Sequence, residues 1–240
     1  MRAEDVTRDR CVAIATVSQR PVLWCSAGKH SLILLHLWRA LGLPTTVLFN
    51  DLDGGFPGMR EHLEQCCRAW DVEDVRVVRP TITFDEYAQQ IGYPVETIPH
   101  TLPEGVRVAN SWHCTLVRQG LPLLVGSLEM GADAIVTGIR AADHPVFVAM
   151  GTAIDASDTY HIIRYNPLYH WSTAEVWAYV DAHKIPLPPQ YPLKRDATYL
   201  WPDCLACTRR PEHWAMLKEA YPEVYRRYWP EVAAIVGKEP

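Results

Sequence analysis

The sequence lacks what would carry a chain into a membrane. Its longest apolar stretch, residues 32–43, is broken by His36 and Arg39 and is too short to span a bilayer. The first ten residues, MRAEDVTRDR, are charged and contain no apolar core of the kind a secretory signal needs. A basic excess is missing too. Lys and Arg number 23 against 28 Asp and Glu, and a net charge of −5 argues against a general polyanion binder. The pairs Arg209-Arg210 and Arg226-Arg227 are local and read first as solvated surface. Internal repeats and low-complexity tracts are absent. Cysteine is not scarce, with seven residues, but no export signal accompanies it. The expectation is a cytoplasmic protein whose cysteines stay reduced or bind metal.

What is present is enough apolar residue, 48% of 240, for a full core. Short apolar runs at 21–25, 45–49, 74–78, 133–137 and 159–164 read as strands. Helical patterns near 29–42, 57–69, 83–90 and 116–130 alternate with them. That alternation predicts an α/β fold, a Rossmann-like, mostly parallel five-stranded sheet with helices on both faces. Residues 92–111, rich in Pro and Gly, read as a loop. In YHWSTAEVWAYV, Ser172 and Glu175 have capping-box spacing, with Trp171 and Val176 placed as a staple. The expected organisation is an α/β domain over 1–165 and an irregular, helical C-terminal extension over 166–240, packed on the same domain.

Ligands of an open parallel sheet bind beyond the carboxyl ends of its strands. Three features fall there. After the first strand comes SAGKHS, residues 26–31. It is not a P-loop, because no glycine stands five residues ahead of Gly28. Gly28 is expected to let the backbone approach a ligand, with Lys29, two hydroxyls and a helix N-terminus as donors. After the second strand, Asp51 and Asp53 lie where they could hold a metal or a ribose, or form an ordinary turn. After the fourth strand, Arg140 in TGIRAADHP could clamp a phosphate bidentately or simply pair with Asp143. A fourth feature is Cys204-x-x-Cys207 with His113-Cys114 far upstream, a Cys3His set suited to zinc or an iron–sulfur cluster. Otherwise Cys114 is a small core residue, as Cys11, Cys25, Cys66 and Cys67 are read to be.

These residues together resemble the phosphoadenosine phosphosulfate (PAPS) reductase family, within the adenine-nucleotide α-hydrolase-like, or PP-loop, superfamily. SAGKHS is similar to that superfamily's S-G-G-K-D-S at Ser26, Gly28, Lys29 and Ser31. DLDGGFPGM resembles D-T-G-x-x-x-P-E-T at Asp51 and Pro57, and Gly138-Ile139-Arg140 resembles its G-x-R. NPLYHWSTAEVWAYV is the most specific match, to N-P-x3-W-x4-V-W-x-Y, and CLACTR resembles C-x-x-C-T-R. The likeness covers residues 20 to 210. It implies an adenine nucleotide, ATP or PAPS or adenosine phosphosulfate (APS), held by Ser26, Ala27, Gly28, Lys29, His30, Ser31, Asp51, Gly138 and Arg140. Lys29 and Arg140 would act on the phosphates. His113, Cys114, Cys204 and Cys207 would bind a [4Fe-4S] cluster or zinc, and magnesium is a further candidate.

Three departures shape the expected chemistry. No cysteine follows Cys207, although family reductases use a late thiolate. His30 replaces the loop aspartate, which makes a donor to an anion more natural than a metal ligand. His113 replaces the first cysteine of CC-x-x-R-K-x-x-P-L. The leading expectation is ATP cleavage between α and β phosphates, or sulfur transfer, to activate an acceptor. A sulfonucleotide reductase with a relocated thiol and a non-catalytic nucleotide- or metal-binding protein are the alternatives. The acceptor is not legible, nucleic acid enters only in that role, and a homodimer is left open.

Overall fold

The fold is described from a computed structural model, which defines residues 2–94, 99–101, 107–143, 154–157, 162–188, 191 and 211–236. The chain divides into two compact units. The first comprises Met1–Asn50, Gly58–Val78 and Leu123–Pro188; the second comprises Asp51–Pro57, Arg79–Pro122 and Pro189–Pro240.

In the first unit, strands β1 (Pro21–Trp24), β2 (Thr46–Asn50) and β3 (Asp74–Val78) lie in one sheet with β6 (Ala134–Val136), β7 (Ile154–Ser157) and β8 (Ile162–Tyr165). The order is β3-β2-β1-β6-β8-β7. Five strands are parallel, as the apolar runs predict, and β7 pairs antiparallel with β8 at the edge. Successive residues Val22 and Leu23 of β1 point to opposite faces, and both are buried, so both faces are covered. The chain runs outward from β1 to β3, then returns to the other side of β1 with β6. The β1–β6 seam is therefore the topological switch point, where such sheets open a crevice.

Helix α1 (Ala3–Val17) buries Thr7, Cys11 and Ile14, one face at spacings of four and three. Helix α2 (Lys29–Ala40) buries Leu32, Ile33, Leu34, Leu35, Leu37 and Trp38, so almost every side of it is core. Helix α3 (Met59–Ala69) buries Leu63, Cys66 and Cys67, as read from the sequence. Helix α6 (Leu121–Glu129) packs on the Val22–Leu48 face through Leu123. A Cβ at Gly126 would lie 2.8 Å from Val78 Cγ1, so glycine sets that close approach. Helix α7 (Thr173–His183) has the expected capping box, with Ser172 and Glu175 bonded reciprocally. Trp171 and Val176 are both buried. This helix, placed by sequence in the C-terminal extension, lies in the first unit.

The second unit corrects the sequence reading in one place. The segment 92–111, read as a loop, contains the antiparallel strands β4 (Pro99–Thr101) and β5 (Arg107–Ala109). The helix read near 116–130 is present, its first turn π-helical over Leu116–Gly120 and continued by α6. Also here are α4 (Phe84–Gln90), α5 (Asn110–Thr115), α8 (Pro211–Ala220) and α9 (Pro222–Val236). Helices α8 and α9 pack through aromatic rings, with Tyr225 stacked on Trp229 and Trp214 against both. Among the described residues, no helix is long and apolar enough to cross a membrane.

Candidate functional site

The loop that leaves β1 turns sharply at Ala27, whose φ is 60°. That left-handed conformation costs a residue with a Cβ about 1–2 kcal/mol. The sequence reading gave the backbone freedom to Gly28, but Gly28 is an ordinary extended N-cap with φ −75° and ψ 162°. Ala27 therefore carries the strain at a position where the PP-loop pattern has glycine. The N-cap of α2, Gly28, has no side chain with which to cap the helix. Its first-turn N–H groups are oriented along the axis, the arrangement that binds anions. The Ser31 hydroxyl donates to the Gly28 carbonyl at 2.9 Å and lies 3.5 Å from the Ser26 hydroxyl. The two serines brace the loop from inside.

Lys29 enters this loop buried, with 5% of its surface exposed. Burial pushes its ammonium down to about 8; Arg140 pushes the same way and Asp143 opposes both. His30 is held well below its ordinary value, first by burial and then by the Lys29 and Arg140 charges, so its ring is neutral. Its Nδ1 sits 3.5 Å from Asp143 Oδ2. Its Nε2 is buried with no hydrogen-bond partner among the described residues.

The second wall is the turn after β6. Gly138 is pressed against the loop: a Cβ there would lie 2.8 Å from the His30 carbonyl carbon and 2.9 Å from Ser31 N. These neighbours are backbone and cannot swing away, so the G of G-x-R is a packing requirement. Arg140, 1% exposed, does not reach outward as a free clamp. Its Nε and Nη2 donate to Asp143 Oδ1 at 3.1 and 2.6 Å, its backbone N to Oδ2 at 3.1 Å, and its Nη1 to the Trp171 carbonyl at 3.2 Å. The pairing with Asp143, the plainer of the two sequence readings, is what this side chain does.

The tryptophan motif explains how that turn is held. The Thr137 hydroxyl donates to Asn166 Oδ1 and the Ala141 N–H to the Tyr169 carbonyl. Trp171 offers its carbonyl to Arg140, while its indole N–H donates to the Thr7 hydroxyl on α1 at 2.8 Å. Asn166, Tyr169 and Trp171 thus form a brace for residues 137–143. Sequence reasoning recognised the motif without this role. Asp143, Thr137 and Asn166 were not singled out as site residues, and an acid three residues beyond Arg140 was the available signal.

Asp51, Asp53, His113 and Cys114 lie in the second unit. Asp51 accepts from Arg79 Nε and Nη2 at 3.2 and 3.0 Å. Asp53 accepts from the buried Arg118 and from the Phe84 N–H at the start of α4. His113 Nδ1 is 2.7 Å from the Tyr87 hydroxyl, and Cys114 is buried beside it in α5. Cys204 and Cys207 lie outside the described residues. Among the described residues, no group of three or more His, Cys, Asp and Glu is arranged to hold a metal. The segment from His113 is one residue longer than the family's CC-x-x-R-K-x-x-P-L, and the π turn at Leu116–Gly120 takes up such an extra residue without breaking the helix.

A parallel sheet with a tight loop and a buried lysine at its switch point defines a doubly wound α/β fold. The comparisons with known proteins agree. Residues 20–199 match the phosphoadenosine phosphosulfate reductase domain. The chain is 24% identical over 194 residues to an adenosine 5'-phosphosulfate reductase of Shouchella clausii, covering 81% of this chain and 73% of that one. Its fold is similar to a PAPS reductase from Candida auris in a phosphate complex, with TM-score 0.57, 19% identity, and coverage of 80% and 85%. It is also similar to an FMN adenylyltransferase from Candida glabrata, with TM-score 0.50, 19% identity, and coverage of 79% and 57%. The chain belongs to the phosphoadenosine phosphosulfate reductase family.

Proposed function

We propose that the protein binds ATP through residues 26–31 and cleaves it between the α and β phosphates to activate an acceptor. The observation that carries this reading is a pair of buried cations beside the N-terminus of α2. Lys29 and Arg140 are 5% and 1% exposed, and Arg140 is paired with Asp143. A polyphosphate at this loop would meet the first-turn N–H groups of α2 within the field of both cations. Lys29 would stabilise charge developing on the leaving pyrophosphate, a contribution on the order of 3 kcal/mol in a site that excludes water. Arg140 would act through Asp143 and through its own field. With His30 in place of aspartate, residues 26–31 contain no carboxylate for magnesium.

The relatives' names favour a second reading, reduction of APS or PAPS. Attack on sulfur needs a thiolate. The cysteines at 11, 25, 66, 67 and 114 are all buried, and burial pushes Cys11, Cys66 and Cys67 up to about 12. That leaves Cys204 and Cys207 as this chain's remaining thiols. The same two, with His113 and Cys114, would be the ligands of a cluster or zinc ion. The Tyr87 contact at Nδ1 fits a ligating imidazole anchored through its other nitrogen. When bound, such a group would tie these segments together and lower the nucleophilicity of its thiolates.

The test is product analysis. The purified protein should release AMP and pyrophosphate from ATP, and Lys29→Ala should lower that rate about 100-fold. Sulfite from APS or PAPS, abolished in Cys204→Ser or Cys207→Ser, would move the assignment to the reductase reading. Unchanged ATP affinity in both Lys29→Ala and Arg140→Ala would remove the nucleotide site altogether.

A further inference from the structure

The neutral imidazole of His30 has a role that its sequence position alone does not suggest. A histidine among phosphates is expected to donate to them. Here Asp143 is fixed by its bonds to Arg140, and its Oδ2 lies 3.5 Å from His30 Nδ1. A carboxylate at that distance favours the tautomer with the proton on Nδ1, since a lone pair there would face a like charge. Nε2 then carries a lone pair, and it is this atom that is buried without a partner among the described residues. An unpartnered acceptor in a folded protein calls for a donor, which a fully ionised phosphate cannot be.

We propose that His30 Nε2 is the general base that takes the proton from the acceptor as it attacks the α-phosphorus of ATP. This rests on the ATP-cleaving reading and deepens it by naming the acceptor class. The attacking atom must carry a proton, as in an amine, amide, thiol, alcohol or water, and not in a carboxylate or another anion already ionised. The acceptor X–H gives its proton to Nε2 while X bonds to the α-phosphorus. The bond from that phosphorus to the bridging oxygen breaks, pyrophosphate leaves, X–AMP forms, and the imidazolium returns its proton to solvent. Asp143 orients the ring and stabilises the imidazolium, the division of labour of histidine–carboxylate dyads. The charged groups facing His30 are Lys29 on its own helix and Arg140 and Asp143 on the turn. ATP bound at Lys29 offsets the positive field of Lys29 and Arg140 that depresses the ring, so the base strengthens when its substrate is in place.

Water serves as the probe acceptor, with AMP release from ATP as readout. His30→Ala and His30→Gln should lose about 100-fold or more in kcat, with the Kd for ATP changed less than about threefold. Added imidazole should restore turnover to His30→Ala in proportion to its free-base concentration, which a merely structural role would not produce. In the wild type, the acid limb of kcat should lie at higher pH than that of kcat/KM. Full activity in both variants would overturn the proposal, as would loss of ATP binding in step with turnover. Independently of turnover, nitrogen-15 spectra of histidine-labelled protein, with His30→Gln giving the assignment, should show the Nδ1–H tautomer. An Nε2–H tautomer would overturn the proposal. If the wild type forms no AMP, the ATP-cleaving reading fails and His30 is not its base, while an Nδ1–H tautomer would still report the acceptor geometry.

Discussion

The loop after β1 and the acidic segment after β2 are both rich in small residues and charge, yet their charges sit in different surroundings. Around the loop, Lys29 and Arg140 share Asp143, and His30 adds no charge. In the segment, each aspartate has its own arginine, Asp51 with Arg79 and Asp53 with Arg118. Both aspartates of the segment keep water on part of their surface, at 28% and 45% exposure, whereas Lys29 and Arg140 are almost wholly buried. Charges held away from water act more strongly on one another and on any ligand that reaches them.

Removing arginines should expose that contrast most strongly. Arg140→Ala leaves Asp143, with 17% of its side chain exposed, without its main partner. A loss of about 3–5 kcal/mol in denaturant-unfolding stability is expected. Arg79→Ala, at an exposed pair, should cost about 1 kcal/mol or less. Equal losses in the two variants would erase the distinction. Gly138→Ala should come next, at about 1–3 kcal/mol, because its new methyl meets loop backbone. Its ATP affinity should fall more than its stability, by calorimetry against thermal melting. The smallest effect belongs to Ala27→Gly, which relieves a positive φ and should stabilise by about 1 kcal/mol or less. Destabilisation there would mean that the methyl packs better than the backbone is strained.

The parallel sheet was legible because its strands are short apolar runs separated by amphipathic patterns. Strand β7, IDAS, was not, since half of it is polar and its pairing with β8 is set by tertiary structure. The antiparallel pair of β4 and β5 was hidden in a Pro- and Gly-rich segment, and α9 carries Pro230 inside it, an unfavourable local signal. At the site, Lys29 and Gly138 stood out by residue type. The left-handed turn did not, because Ala27 gives no hint of positive φ. Nor did the brace of Asn166, Tyr169 and Trp171, whose partners Thr137, Ala141, Arg140 and Thr7 are remote in sequence. Local rules reveal caps and strands; hydrogen bonds between distant turns appear only once the chain is folded.

The claim that the loop holds phosphate through Lys29 is tested most directly by the pH dependence of ATP binding. Before ATP binds, Lys29 is lowered to about 8, chiefly by burial, and a bound polyanion favours the ammonium and raises it again. Binding then takes up a proton above that pH. The sign follows: affinity is level below about pH 8 and falls as pH rises through it, by up to about tenfold per unit. Calorimetric titration should find this slope in the wild-type protein and lose it in Lys29→Met. A level profile in the wild type, or the same slope in Lys29→Met, would contradict the account.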